Sequence, residues 1–316
     1  MRVIKAFFQL IRWQNLVVLV LAQGFLHFMI IEKLSVAAAI VLPFSTLHLF
    51  VLMLSTTMIA AAGYIYNDLV DVKVDLVNKA QKVIVGKILS TKTAMVWVYA
   101  LNSIGFLLSF YLVVNIGYKQ LALIQILVIL LLRLYSKSLK RQVLLGNLLI
   151  AALTALSVFL VYLYHVFSLL QNPIELSAMT KQLPFILKLT QAYVFFAFLS
   201  NFIREIVKDL EDKQGDQLFG IQTFPVKYGD AKTLILVRVL NGLLIISLFV
   251  FFILSLKLQW YYLGVYLFVA TLIPSVYFEW NAKKAKEKND FHALSSLMKI
   301  IMIAGILSMQ VLSIQF

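Results

Sequence analysis

Apolar residues occur in long unbroken runs along this chain, and polar residues are confined to the short stretches between them. The runs cover 15–33, 46–66, 94–115, 119–135, 143–169, 184–206, 231–256, 258–279 and 294–314. A hydrocarbon core of about 30 Å needs about 20 apolar residues in helical conformation, and each run meets or nearly meets that length. The shortest, 119–135, carries Arg133 close enough to its end for the side chain to reach the interface. The third and fourth runs are split only by Ile116-Gly117-Tyr118. The first follows Arg2, Lys5 and Arg12, as in a signal peptide, but its apolar run is longer than that of such a segment. It is read as a span, and the pattern predicts nine membrane-spanning helices.

Composition agrees. Of 316 residues, 62% are hydrophobic and 13% charged, against roughly half and about a quarter in an average soluble domain. Too few polar residues remain to cover a water-facing surface, so a soluble globule is excluded. Gly and Pro are sparse and no linker-like tract interrupts the runs, so residues 1–316 read as a single integral membrane domain, an all-α polytopic helical bundle. The absence of cysteine removes disulfides, thiolate metal sites and a cysteine nucleophile.

The formal charge of +14 raises the question of nucleic acid, but the basic residues fall between spans and alternate from loop to loop. Of the 28 Lys and Arg, 21 lie on one side, five (Lys33, Lys119, Lys181, Lys188, Lys257) lie on the other, and Arg238 and Lys299 lie within spans. Basic residues are retained on the cytoplasmic side during insertion. The N-terminus and the basic loops are therefore expected to be cytoplasmic and the C-terminus, after nine spans, on the opposite side. No nucleic-acid partner is expected.

The chemistry is carried by the acids. Of 14 acidic residues, eight lie in two short segments, 67–75 and 205–216. Asp68, Asp71 and Asp75 are spaced i, i+3, i+7, and Asp209, Asp212 and Asp216 repeat that interval. Each trio shares a face if its segment is helical. Both extend the same end of a span, the second and the sixth, so the two rows can face each other. Gathered carboxylates repel unless multivalent positive charge sits among them. Mg2+ prefers oxygen ligands and is commonly held by one or two carboxylates plus substrate phosphates, so facing rows suggest Mg2+ bridging a diphosphate. The plainer alternative is two solvated helix ends neutralised by Lys73, Lys208 and Lys213. Two rows of one interval, holding most of the chain's acid, favour a site. His27, His48, His165 and His292 are scattered and read as structural or interfacial, and the lysines from Lys283 to Lys288 as a solvated loop.

Asn67 to Asp75 reads N-D-x-x-D-x-x-x-D and Asp209 to Asp216 reads D-x-E-D-x-x-G-D. With nine spans and these motifs after the second and sixth, the chain resembles the UbiA family of intramembrane prenyltransferases over nearly its whole length. Asn15, the stretch Tyr135-Ser136-Lys137-Ser138-Leu139-Lys140-Arg141 and Gly146-Asn147 match further parts of the family pattern. The family's usual N-x-P-x-R-P continuation is replaced by Asn78-Lys79-Ala80-Gln81-Lys82-Val83, which lacks both prolines and has Lys82 where an arginine is usual. A lysine offers a point charge without the bidentate fork.

The resemblance implies Mg2+-dependent transfer of a prenyl group from an allylic prenyl diphosphate to a hydrophobic acceptor. In that role Asp68, Asp71, Asp209 and Asp212 are the principal metal ligands, and Asp75 and Asp216 the outer members of each row. Asn67 orients a carboxylate or a metal-bound water, Lys82, Lys140 and Lys208 meet phosphate oxygens, and Asn15, Tyr135 and Ser136 bind substrate. The string from Arg204 to Asp212 resembles members that prenylate a glycerophosphate lipid, the geranylgeranylglyceryl phosphate geranylgeranyltransferase type. An aromatic acid or quinone precursor is the rival acceptor. Of the other classes, a divalent cation transporter would place its carboxylates nearer the bilayer midplane, and a phospholipid head-group transferase would show a D-G-x-x-A-R pattern that is missing.

Overall fold

The computed structural model describes residues 2–316; the side chains of Arg2, Val3 and Lys82 lie outside the described residues. Among the described residues nine helices are long and apolar enough to cross a membrane: α1 Trp13–Ala37, α2 Thr46–Asn78, α3 Thr91–Ile116, α4 Lys119–Arg141, α5 Leu145–Leu170, α6 Leu183–Leu218, α7 Asp230–Lys257, α8 Tyr261–Lys284 and α9 Lys288–Gln315. The all-α, nine-span reading of the sequence holds. The brief break between the third and fourth runs is a true turn. Gly117 adopts φ 84°, and the Tyr118 amide bonds back to the Val113 carbonyl, closing α3 with the left-handed cap that glycine favours.

Three features depart from the apolar pattern. A short helix, Arg2–Leu10, precedes α1 and buries Ala6 and Leu10 against the bundle. Second, α2 and α6 continue past their apolar runs to Asn78 and Leu218. The acidic segments are thus the last turns of unbroken helices, not loops. Third, α1 and α8 contain π-helical segments at Leu26–Ile31 and Leu267–Leu272, which periodicity alone does not reveal.

Packing is organised around α2 and α6. Helix α2 lies chiefly against α3, and α6 against α5 and α9. One apolar cluster joins α1, α2, α3, α5 and α9 through residues such as Leu26, Leu49, Val161 and Met309; a second joins α6 to α7, α8 and α9 through Ile203, Leu244, Phe278 and Met298. A third packs the N-terminal helix on α2 and α3. Large apolar side chains also face outward, among them Leu130, Val239 and Ile246. In water such a surface would drive association; against lipid it needs no partner. The internal polar groups pair across helices: Gln23 donates to the Ser157 carbonyl at 2.8 Å and accepts from Thr56 at 3.0 Å, tying α1 to α5 and α2. His27 and His165 meet at 2.8 Å between α1 and α5, and Arg238 of α7 pairs with Glu279 of α8 at 2.7 Å. The structural reading of these two histidines holds. Lys288 differs from the expected solvated loop residue: its ammonium donates to the Asn78 carbonyl at 2.8 Å and ties α9 to the end of α2.

Candidate active site

The helical run of 67–75 and 205–216 puts each aspartate trio along one stripe, and the ends of α2 and α6 meet. The amide of Gly215 donates to Asn78 Oδ1 at 2.8 Å. A Cβ on Gly215 would fall 2.5 Å from the Asn78 side chain, so glycine permits this approach. Lys79, just past α2, donates to Asp212 Oδ2 at 2.6 Å. The two rows therefore face one another at one end of the bundle.

Each row is engaged by basic or amide neighbours. Asp68 accepts from Arg12 at 2.9 Å, and Asp71 accepts from Asn67 at 2.8 Å and from the Lys140 ammonium. Asp209 accepts from Asn147 at 2.9 Å, and Asp216 from the Thr223 hydroxyl at 3.4 Å. Burial opposes the charge on Lys79, but the carboxylates of Asp212 and Asp75 outweigh it and hold its pKa above the ordinary lysine value. Arg12 is likewise held above its ordinary value: burial works against its charge, and Asp68 and Tyr64 overcome that.

Local backbone explains three of these contacts. Arg12 sits in the left-handed region, φ 51°, between the N-terminal helix and α1, a conformation that costs a non-glycine residue energy. The resulting bend carries its guanidinium over the Tyr64 ring, 4.9 Å from the centroid, and onto Asp68. Leu144 (φ 60°) makes a similar bend before α5. Behind it, a Cβ on Gly146 would lie 2.7 Å from Lys140 Cα, so the glycine lets the 139–141 turn press on α5. That approach delivers Lys140 to Asp71 and Asn147 to Asp209.

Among the described residues no group of three His, Asp or Glu side chains is gathered to hold one ion. Asp68, Asp71, Asp209 and Asp212 are turned toward the cations and amides just named. The donor set still suits a hard cation. All six groups are carboxylates, and Asp212 Oδ1 is buried with no hydrogen-bond partner, an acceptor that burial makes costly to leave unpaired.

Beneath the rows a cleft of about 210 Å³ runs into the bundle. Its mouth is lined by Arg12, Asn15, Tyr64, Asn67, Tyr135 and Lys208, and its inner walls by residues such as Ala22, Ile59, Val128, Val158 and Met309. Along α1 the lining runs from Asn15 to Ala22, and at 1.5 Å per residue this is a depth of about 10 Å. The chemistry is thus polar at one end and apolar along the length, the shape for a charged head and a hydrocarbon tail.

The other expected site residues divide. Asn15 lines the cleft and reaches the Tyr64 hydroxyl at 3.5 Å; Asn67 and Tyr135 also line it. Lys208 lines it too, but its ammonium is 2.5 Å from Glu205. Asp75 is half-buried at the same end of α2. Ser136 does not line the cleft: it is buried, and its hydroxyl donates to the Leu132 carbonyl one turn back. The side chain of Lys82 lies outside the described residues. The sequence pattern marks Arg12, Lys79 and Arg204 only as charges of the basic side, Lys299 only as a charge within a span, and Asn147 only as part of a motif. Their separation from the acids in sequence hid their contacts; the one available signal was that Arg204 and Lys208 flank Glu205 beside the second motif.

Comparison with known proteins carries the reading further. A digeranylgeranylglyceryl phosphate synthase of Sulfurisphaera tokodaii is 26% identical over 301 residues, covering 95% of this chain and 97% of the relative. A solved structure of digeranylgeranylglyceryl phosphate synthase shares the fold with TM-score 0.63 at 22% identity, covering all of both chains. A UbiA homologue from Archaeoglobus fulgidus bound to DMAPP and Mg2+ does so with TM-score 0.55 at 14% identity, over 96% of this chain and 99% of that one. The UbiA prenyltransferase family matches residues 17–301. Because that match runs from the first span into the ninth, the chain belongs to the UbiA prenyltransferase family and is a membrane-embedded prenyltransferase.

Proposed function

We infer that this prenyltransferase takes its prenyl group from an allylic prenyl diphosphate and gives it to a glycerophosphate lipid, with Mg2+ as cofactor. The observation that carries the reading is the meeting of two aspartate rows, on α2 and α6, over an apolar cleft. The relatives' names favour the glycerophosphate acceptor over an aromatic or quinone precursor, and the Archaeoglobus fulgidus neighbour's ligands favour an allylic diphosphate with Mg2+. A divalent cation transporter is disfavoured by family and by the rows' position at one end of the bundle.

Asp68, Asp71, Asp75, Asp209, Asp212 and Asp216 are the residues that would hold Mg2+. When bound, the ion neutralises charge on the leaving diphosphate as a Lewis acid. The chain's own cations share that work. Lys140, Lys79 and Arg12 now sit on Asp71, Asp212 and Asp68 and are placed to exchange carboxylate for phosphate oxygens as the headgroup enters. Asn67 and Asn147 hold Asp71 and Asp209 in orientation. The allylic C–O bond breaks, the acceptor's hydroxyl oxygen forms the new ether bond to the allylic carbon, and the hydroxyl proton is released. An allylic cation is consumed by any nearby water, and the apolar walls of α1, α2, α4, α5, α6 and α9 keep water from the reacting carbon.

The mouth of the cleft is assigned to the cytoplasmic side, with the N-terminus there and the C-terminus opposite. What supports this is that Arg12, Lys79, Lys140 and Lys208 all belong to the basic side of the chain. The test is product identification by mass in membranes given labelled prenyl diphosphate, Mg2+ and either a glycerophosphate lipid or an aromatic acid. Asp68→Asn and Asp209→Asn are each expected to abolish turnover, as is a chelator, with Mg2+ restoring it. Near-normal turnover in either variant would remove that row from the site.

A further inference from the structure

Inside the cleft, just inward of the aspartate rows, lies a second charged group that the diphosphate chemistry does not use. Arg204 and Lys208 project from successive turns of α6, Lys299 comes from α9, and all three line the cleft. Among the described residues the one carboxylate lining it is Glu205, whose Oε1 takes both Lys208 Nζ at 2.5 Å and Arg204 Nη1 at 3.4 Å. Arg12, the remaining cation of the lining, is already paired with Asp68. Three cations against one carboxylate leave an excess of two positive charges in a largely apolar cleft. Lys299 has only a neutral partner, Gln14 at 3.4 Å, and Arg204 Nε is buried without any hydrogen-bond acceptor.

We propose that Arg204, Lys208 and Lys299 form the seat of the acceptor's phosphate group, separate from the aspartate rows that receive the diphosphate. This rests on the glycerophosphate reading above and names its binding residues. A phosphate monoester carries a charge of about −1.5 to −2 near neutral pH and offers three acceptor oxygens, which matches the excess charge and supplies the acceptor that Arg204 Nε lacks. An aromatic carboxylate brings one charge and would leave the group unbalanced. The planar guanidinium of Arg204 suits bidentate contact with phosphate, and the two ammonium groups add point charges. Glu205 holds Arg204 and Lys208 in place before the phosphate arrives. Arg204 precedes Asp209 by five residues, about 7.5 Å along the helix. A phosphate seated there leaves the neighbouring glycerol hydroxyl on the side of the aspartate rows, where the allylic carbon is presented.

The experiment uses the full chain in lipid nanodiscs with Mg2+ and a prenyl diphosphate, and compares a prenylglyceryl phosphate with the same lipid lacking its phosphate. Arg204→Gln and Lys299→Gln are expected to raise the KM for the phosphorylated acceptor roughly tenfold to hundredfold. They should leave the KM for the diphosphate unchanged and should lower kcat/KM for the dephosphorylated lipid far less than for the phosphorylated one. Equal losses with both acceptors, or a raised KM for the diphosphate, would overturn the assignment. A second measurement needs no variant: glycerol 1-phosphate should inhibit the parent protein competitively against the acceptor, and competition against the diphosphate instead would refute the seat. If the parent prenylates an aromatic acid and no phosphorylated lipid, the acceptor reading itself has failed, and the seat falls with it before any variant is made.

Discussion

Lys79 Nζ lies 2.6 Å from Asp212 Oδ2, joining the end of α2 to the second acidic row across 133 residues of chain. The contact links the ends of the two helices, and it places a cation that can change partners beside a carboxylate whose other oxygen is unpaired.

That pair has a defined pH behaviour. Because the folded lysine's pKa lies above its ordinary value, of about 10.4, its contribution to stability is fully present below that value. It is lost as pH rises through the still higher folded value. The melting-temperature difference between the parent and Lys79→Met should therefore be constant from about pH 6 to 9 and shrink above about pH 10.5. The pair is nearly a third exposed on the lysine side, so the difference should correspond to no more than about 1 kcal/mol. Added Mg2+ should stabilise the variant more than the parent, since Asp212 then lacks its lysine. A difference that grows with alkalinity would contradict the assignment.

Asn147 is the amide that orients Asp209. Asn147→Ala leaves a largely buried carboxylate without its donor and should lower kcat/KM roughly tenfold to hundredfold, the kinetic equivalent of about 1–3 kcal/mol. Asn147→Asp, which sets a second carboxylate against the first, should be worse still. Steady-state kinetics with unchanged thermal melting is the check; an Asp variant as active as the parent would show that Asp209 does not depend on this contact.

The glycine at 146 exists for a close approach, since a Cβ there would lie 2.7 Å from Lys140 Cα and 3.1 Å from the Tyr135 ring. Gly146→Ala should push α5 from the 139–141 turn, cost about 1–3 kcal/mol of stability and draw Lys140 off Asp71. The expected readouts are a lower melting temperature and a higher KM for the prenyl diphosphate. An unchanged KM would separate the glycine's packing role from the site.

Ala22 lies at the inner part of the cleft and is almost fully buried. Ala22→Phe fills space that a long prenyl tail occupies. Turnover of a twenty-carbon donor should fall at least roughly tenfold, about 1.4 kcal/mol in barrier, while a ten-carbon donor is retained. Equal losses for both donors would place the tail elsewhere.

Much of the fold was legible in the chain because a bilayer imposes a simple rule: every backbone polar group must be satisfied within a helix, so apolar run length reads directly as a span. The nine spans, and the equal interval of the two aspartate trios, follow from local pattern alone. Run length could not show that α2 and α6 continue as helix into polar sequence, because the hydrophobic signal ends where the helices leave the apolar layer while their backbone hydrogen bonding does not.

The partners of the acids were hidden for a different reason. Arg12 with Asp68, Lys140 with Asp71, and Asn147 with Asp209 are separated by 56, 69 and 62 residues. No periodicity links such positions, and in sequence each basic residue is indistinguishable from one that merely sets orientation. Local order thus specified which residues share a helix face, through the fixed geometry of the backbone. Which faces meet depended on helix packing, on bends at Arg12 and Leu144, and on glycines that admit close contact. Those are properties of three-dimensional surfaces, and they turn two acidic stripes and scattered cations into one site.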